Sequence, residues 1–348
     1  MSAPPRLPPL PTIRDILKLY HLSARKSLSQ NFLMDQNLTD KIVSKAGKLY
    51  GSHVLEVGPG PGGLTRSIIK RVPEKVVVVE KDPRFKPTLD MLAESFSTIN
   101  KRMDIVYDDI MKTNVERLLP TEGKREWHDK PPDIFIIGNL PFSVSTHLII
   151  KWLHAMSEKR GAWAFGRTKM TLTFQKEVAE RLVAQPYGSQ RCRLSVMAQT
   201  WTFPVLRFII PGKAFVPKPD VDVGVVSFTP LVHPLTQHNF EFFEKVVRHV
   251  FIYRQKYSVR CIETLFPRDR CKDLALLMFK LADLDPTIRP YQLTVQEIDR
   301  LATAYKYLLE KHPELALYEH RKSRSILPIS KTRNIVVEDY EEMSEETF

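Results

Sequence analysis

Val54-Leu-Glu-Val-Gly-Pro-Gly-Pro-Gly-Gly63 decides how the chain is read. An apolar run (Val54, Leu55, Val57) stops at four glycines, Gly58, Gly60, Gly62 and Gly63, and a helical pattern, Leu64-Thr-Arg-Ser-Ile-Ile69, follows. This is a buried strand, a tight turn and a helix start. Glycine admits positive φ and lets a ligand approach bare backbone, and the helix N-terminus offers that ligand unpaired N–H groups. The G-x-G-x-x-G spacing of Gly58, Gly60 and Gly63 is common to dinucleotide enzymes and methyltransferases, so alone it indicates only a nucleotide-type cofactor.

Further strands follow the turn. Val76-Val-Val-Val-Glu80 is wholly β-branched before its carboxylate, as a strand buried on both faces would be. Ile105-Val-Tyr107 runs into Asp108-Asp109, and Ile134-Phe-Ile-Ile137 into Gly138-Asn-Leu-Pro-Phe142. Met170 to Phe174 is a fifth strand, set between helices expected over about 146–156 and 176–183. Strands alternating with helices imply a parallel sheet covered on both faces. Phe203 to Ile210 and Val221 to Phe228 are joined by a Pro/Gly loop with no crossover helix, so they are expected as an antiparallel pair at one sheet edge. Helical patterns then run over about 242–253, 257–265, 274–281 and 295–309. The division expected is a basic N-terminal segment and helix, 1–27; a catalytic domain, 28–231; a small all-helical domain, 232–320; and a charged flexible tail, 321–348.

Charge narrows the partner. The last eleven of the 348 residues hold six acids and no base, so the 337 before them carry 52 bases against 34 acids, a net of +18. Such a body draws polyanions through counterion release, which favours nucleic acid. The first 27 residues hold five bases and one acid and can form an amphipathic helix from Ile13, capped by Thr12, a composition compatible with mitochondrial import. No apolar run approaches membrane-spanning length. The three cysteines match neither a disulfide framework nor a zinc spacing, so no metal is expected.

In an open α/β sheet ligands bind at the carboxyl ends of the strands. Gly58, Glu80, Asp109 and Asn139 end four successive strands and should line one crevice. Glu80, 22 residues after Gly58, suits ribose hydroxyls, and Asp109 suits an exocyclic amine such as adenine's. Both a nicotinamide cofactor and S-adenosylmethionine satisfy that much. Asn139-Leu-Pro-Phe142 separates them, because hydride transfer has no use for it. An adenine amino lone pair is delocalised into its ring and attacks poorly. Two acceptors on its hydrogens, the Asn139 side-chain oxygen and the Leu140 carbonyl, would pull the nitrogen towards tetrahedral geometry. Pro141 stiffens the turn, and Phe142 offers an unstacked base an aromatic platform.

Ser29-Gln-Asn-Phe-Leu33, Glu56-Val-Gly-Pro-Gly-Pro-Gly-Gly63, Gly138-Asn-Leu-Pro-Phe142, Arg193-Leu-Ser-Val-Met-Ala-Gln199 and Phe215-Val-Pro-Lys-Pro-Asp-Val-Asp222 together resemble the small-subunit ribosomal RNA adenine N6-dimethyltransferases over about residues 25–310. The Arg6 to Arg14 opening and Ile210-Pro-Gly-Lys-Ala-Phe215 resemble the family's animal mitochondrial branch. The resemblance implies a Rossmann-like S-adenosylmethionine-dependent methyltransferase sheet and two adjacent adenines, in a hairpin near the 3′ end of the small-subunit rRNA, as substrate. Naked RNA and the pre-small-subunit particle remain alternatives. A monomer in the mitochondrial matrix, without a membrane partner, is expected. The implied cofactor residues are Gln30, Asn31, Leu33, Gly58, Gly60, Glu80, Lys81, Asp109, Ile110 and Asn139. The catalytic ones are Asn139, Leu140, Pro141 and Phe142, and Phe142 and Phe215 would stack on the target base. Arg248, Arg254, Lys256 and Arg260 are candidate RNA-backbone contacts. The Gln190-Arg-Cys-Arg193 turn departs from the family's glycine or serine pattern and leaves a local RNA contact open. A different class of function, a nucleic-acid-binding accessory to the mitochondrial transcription machinery that keeps the methyltransferase fold, is the alternative.

Overall fold

The computed structural model describes residues 7–318 and 320. The expectations for 1–6 and for the acidic tail lie outside the described residues. The sheet has seven strands: β1 (His53–Val57), β2 (Lys75–Glu80), β3 (Arg102–Tyr107), β4 (Ile134–Gly138), β5 (Lys169–Gln175), β6 (Thr202–Ile210) and β7 (Val223–Pro230). Their order is β3-β2-β1-β4-β5-β7-β6. The first five are parallel, and β7 runs antiparallel to both β5 and β6, so the pair expected at one edge is there. Burial explains the valine run. Val76 and Val78 pack in a cluster with Ile42 and Val43 of α2 (Gln36–Ala46), Leu64 and Ile68 of α3 (Gly63–Ile69), and Leu89 and Phe96 of α4 (Lys86–Ser97). Val77 and Val79 are also buried and, by strand alternation, face the other side of the sheet. Each such side chain taken from water stabilises the fold by roughly 1.5–3 kcal/mol.

The strand order reverses between β1 and β4, the place where open sheets form a ligand crevice. Register brings the expected strand ends level there. Val57 pairs with Val79 and Gly138, and Glu80 with Tyr107. The turn after β1 enters α3 through Gly62 at φ 84°, where an added Cβ would meet Leu92 Cδ1 at 2.3 Å. Glycine is required there by conformation and by packing alike.

Local signals set the helix starts. The Thr12 hydroxyl accepts from Asp15 N and opens α1 (Ile13–Leu19). Asp35 caps α2, accepting from Asn37 N at 2.8 Å. Helix α5 (Phe142–Ser157) begins earlier than periodicity suggested, because Pro141 sits at the cap and its carbonyl accepts from Val144 N and Ser145 N.

The chain divides into two compact units. One holds the sheet: the chain up to 183, including α6 (Lys176–Val183), together with 201–234. The other holds 184–200 and the chain from 235, with most of α7 (Arg193–Trp201) and all of α8 (Phe240–Val250), α9 (Ser258–Ile262), α10 (Cys271–Leu281) and α11 (Val295–Lys311). The expected 28–231 catalytic stretch is therefore interrupted. Arg191, in this interrupting segment, is fully buried. Its guanidinium donates to the Leu293 and Ala184 carbonyls and to Gln199 Oε1 at 2.9–3.0 Å. In the Gln190–Arg193 turn, where a local RNA contact was left open, Arg191 is an internal anchor. A Thr294–Glu297 capping box starts α11.

Candidate active site

The sheet unit contains a cavity of about 180 Å³ at the β1/β4 crevice. Gln30, Asn31, Leu33, Gly58, Gly60, Glu80, Lys81, Asp109, Ile110, Asn139, Leu140, Pro141, Phe142 and Phe215 all line it. Those from 30–33 and 215 arrive by a ladder that sequence did not suggest. Phe32–Leu33 pairs antiparallel with Phe215–Val216, and Asn31 Nδ2 donates to the Pro217 carbonyl at 2.8 Å.

At one end Glu80 is buried, and each of its oxygens holds a backbone N–H: Gly60 N at 2.9 Å and Asp82 N at 2.8 Å. Burial raises its pKa above the usual carboxylate value, and those two bonds pull the other way. Each oxygen keeps a lone pair, so the carboxylate can take two vicinal hydroxyls. Gln30 stands one step back. Its Nε2 donates to Asp82 Oδ2 at 2.9 Å, and Arg84 holds the same carboxylate at 2.6 Å. Burial works to raise the Asp82 pKa, but the bonds from Arg84 and Gln30 outweigh it and hold it low. Lys81 does not side with Glu80. It reaches across to Asp109 Oδ2 at 2.9 Å, while Met111 N donates to Oδ1 at 2.9 Å. Lys81 first, then the Met111 N–H, hold the Asp109 carboxyl below its ordinary pKa.

At the other end Asn139 Nδ2 donates to the Asn31 carbonyl at 3.3 Å, and Asn139 Oδ1 accepts from the Thr173 hydroxyl at 2.9 Å. Thr173 was missed. Parallel register pairs Gly138 with Leu172 and so sets Thr173 beside Asn139, a proximity no sequence spacing announces. Phe142 is half-buried at the cavity wall. Phe215 also lines the cavity but is 2% exposed and packed in the core cluster, so its ring is committed there rather than free as a second platform.

Glu56, on β1, is fully buried, and neither carboxyl oxygen has a hydrogen-bond partner among the described residues. Burial pushes its pKa to about 8; the Thr65 hydroxyl opposes and the Glu80 charge adds to the rise. The folded chain therefore keeps a proton that the unfolded chain gives up above its ordinary 4.5. The linked stability is full below that value and drains as pH rises towards 8, by about 3 kcal/mol at pH 7. Glu56→Gln, neutral at every pH, should raise the melting temperature at pH 7–8 and leave it nearly unchanged near pH 4. Parallel melting curves for both proteins across that range would contradict the assignment.

Residues 21–285 match the model of the ribosomal RNA adenine dimethylase family. The chain belongs to that family. Among relatives of this dimethylase, the mitochondrial dimethyladenosine transferase 1 of Drosophila melanogaster is 52% identical over 92% of this chain and 95% of its own. Its Homo sapiens counterpart is 51% identical over 91% of each. Two solved structures share the fold: a dimethyladenosine transferase from Plasmodium falciparum, TM-score 0.60 at 19% identity, covering 82% of this chain and 98% of that one; and the 23S rRNA methyltransferase ErmE, TM-score 0.54 at 21% identity, covering 79% and 99%. The cavity of this dimethylase fits S-adenosylmethionine. Carboxylates with spare lone pairs stand at Glu80 and Asp109, and a Cβ added at Gly58 would come no closer than 3.8 Å to any neighbour, leaving an open cradle before the Asn139 turn.

Proposed function

We propose that the protein dimethylates N6 of two adjacent adenines in a hairpin near the 3′ end of the mitochondrial small-subunit rRNA, acting as a monomer in the matrix and supporting small-subunit assembly. By its family and relatives the protein is a mitochondrial rRNA adenine dimethyltransferase, and S-adenosylmethionine is its methyl donor. The observation that carries adenine N6 as the target is the Asn139–Phe142 turn on the cavity wall, beside the open glycine cradle.

When bound, S-adenosylmethionine supplies an electrophilic methyl. The chain's own part is to hold and orient. Glu80 takes the ribose hydroxyls and Asp109 the adenine amine of the donor. Asn139 Oδ1 and the Leu140 carbonyl accept from the target amine, freeing its lone pair, while Phe142 supports the base. The cationic product loses its proton to water, so no general base is needed. Catalysis is positioning and electrostatics.

In the helical unit Arg248, Arg254, Lys256 and Arg260 are all exposed, with Tyr253 and Tyr257 exposed among them. Cations interleaved with aromatics suit phosphates and unstacked bases. If the four cations each displace a counterion, affinity for an rRNA hairpin should fall with salt at a log–log slope steeper by roughly 3–4 units than without them. Arg254→Ala with Lys256→Ala should flatten the slope by about 2. Mass spectrometry of the same hairpin after incubation with S-adenosylmethionine should find paired dimethyladenosines. An unchanged slope would remove the RNA surface, and unmodified adenines in both hairpin and particle would remove the substrate. A transcription-accessory role would instead use nucleic-acid binding that persists in a variant unable to take the donor.

A further inference from the structure

We propose that Thr173 is the positioning residue of methyl transfer, its one hydroxyl setting both acceptors for the target amine. This rests on the assignment of Asn139 and Leu140 just made. Thr173 Oγ1 accepts from Leu140 N at 3.2 Å and donates to Asn139 Oδ1 at 2.9 Å. The residue is fully buried on β5, a strand fixed in the sheet on both sides. The Leu140 N–H and the Asn139 carbonyl oxygen thus meet one rigid oxygen, 33 and 34 positions away in sequence.

Two consequences follow from donor and acceptor counting. The first concerns the Asn139 amide, whose orientation two partners set together. In the orientation present, Oδ1 accepts from the Thr173 O–H and Nδ2 donates to the Asn31 carbonyl. Turning the amide over would set Oδ1 against that carbonyl, two acceptors face to face, and leave the Thr173 proton without the oxygen it now serves. Thr173 and the Asn31 carbonyl together therefore keep an oxygen, not an NH2, available to an incoming amine, and the Thr173 donation occupies one Oδ1 lone pair and leaves the other. The second concerns Leu140. Holding its N–H fixes the peptide plane on one side of the residue whose carbonyl is the second acceptor. A hydroxyl is the smallest group that can accept from one neighbour and donate to the other. Valine keeps the shape and does neither.

Because Thr173 acts through Asn139 and Leu140, its loss should appear in turnover rather than in donor affinity. Thr173→Val should lower kcat on an rRNA hairpin by about tenfold, the effect of losing one neutral hydrogen bond in the transition state. Its dissociation constant for S-adenosylmethionine should stay within about twofold of wild type. Thr173→Ser, which restores the hydroxyl, should recover most of the rate. Thr171→Val is the matched control: Thr171 is buried on the same strand and face, and its hydroxyl meets Ser227 at 3.1 Å instead of the turn, so wild-type turnover is expected. If valine at 173 prevents folding, Thr173→Ala gives the same comparison. Wild-type kcat in the valine variant, a serine variant as slow as the valine one, or a loss confined to donor affinity would each overturn the proposal. Asn139→Ala, measured alongside, separates two failures. If it is inactive and Thr173→Val is not, Thr173 is misassigned; if it is fully active, the acceptor reading beneath both is wrong.

Discussion

Alanine at position 139 is expected to slow methyl transfer by roughly 10²–10³-fold, the usual loss when one preorganised polar group aimed at developing charge is removed. The expectation follows from what the side chain is left to do. Its Nδ2 is committed to the Asn31 carbonyl and one Oδ1 lone pair to Thr173. The remaining Oδ1 lone pair is the free acceptor at the cavity wall. Without it the target nitrogen stays planar and its lone pair stays in the ring. Asn139 also borders the donor's space, so S-adenosylmethionine should bind less well, but by less than about tenfold. Single-turnover transfer to an rRNA hairpin, with donor affinity measured separately, distinguishes the two. Undiminished dimethyladenosine from the alanine variant would sink the mechanism. Asn139→Asp should not rescue. Its oxygens accept, but a second oxygen replaces the amide that donates to Asn31, and a charge would stand against that carbonyl.

The sheet was legible because its strands are short β-branched or apolar runs closed by residues no strand interior favours. Val76–Val79 ends at Glu80, and Ile134–Ile137 at Gly138-Asn139. Such runs report burial directly, and burial is what the backbone obeys. The antiparallel edge was legible for a negative reason: no helix-length segment separates 203–210 from 221–228. That the strand-end residues share one crevice followed from topology, since parallel strands in register end together. What sequence left out depends on partners far apart along the chain. The ladder of Phe32–Leu33 with Phe215–Val216 joins segments of no marked periodicity, two residues each. Arg191 looks like any surface arginine until its carbonyl partners at 184 and 293 come together. Lys81 follows Glu80 in sequence, yet its long side chain meets Asp109, because β2 and β3 are neighbours and opposite charge is nearest there. Thr173 carries no motif at all; only the β4–β5 register gives it a role.

Gly58→Trp should raise the dissociation constant for S-adenosylmethionine by more than about 1000-fold, or roughly 4 kcal/mol, while the protein still folds. Both halves follow from the same position. Gly58 sits at φ 66°, where an L side chain costs about 1–3 kcal/mol, a tolerable loss for a domain with a core of this extent. The first side-chain atom is not itself excluded: a Cβ would lie 3.8 Å from the Asn139 carbonyl oxygen and 4.0 Å from Pro141 Cδ, ordinary contact distances. Gly62 is the contrast, since a Cβ there meets Leu92 at 2.3 Å and strikes the packing between α3 and α4. The remainder of an indole at 58 must go where there is room, and the cavity lined by Gly58, Glu80 and Asn139 is that room. The indole would fill space between Glu80 and the Asn139 turn that the donor needs. Alanine at 58, which adds only the tolerated atom, should bind the donor far better than tryptophan does. Equal losses for the two would mean that backbone strain, not occupancy, governs the site. Normal donor binding by a folded Gly58→Trp protein, measured by calorimetry, would mean that the Gly58–Gly63 turn is not where the donor lies.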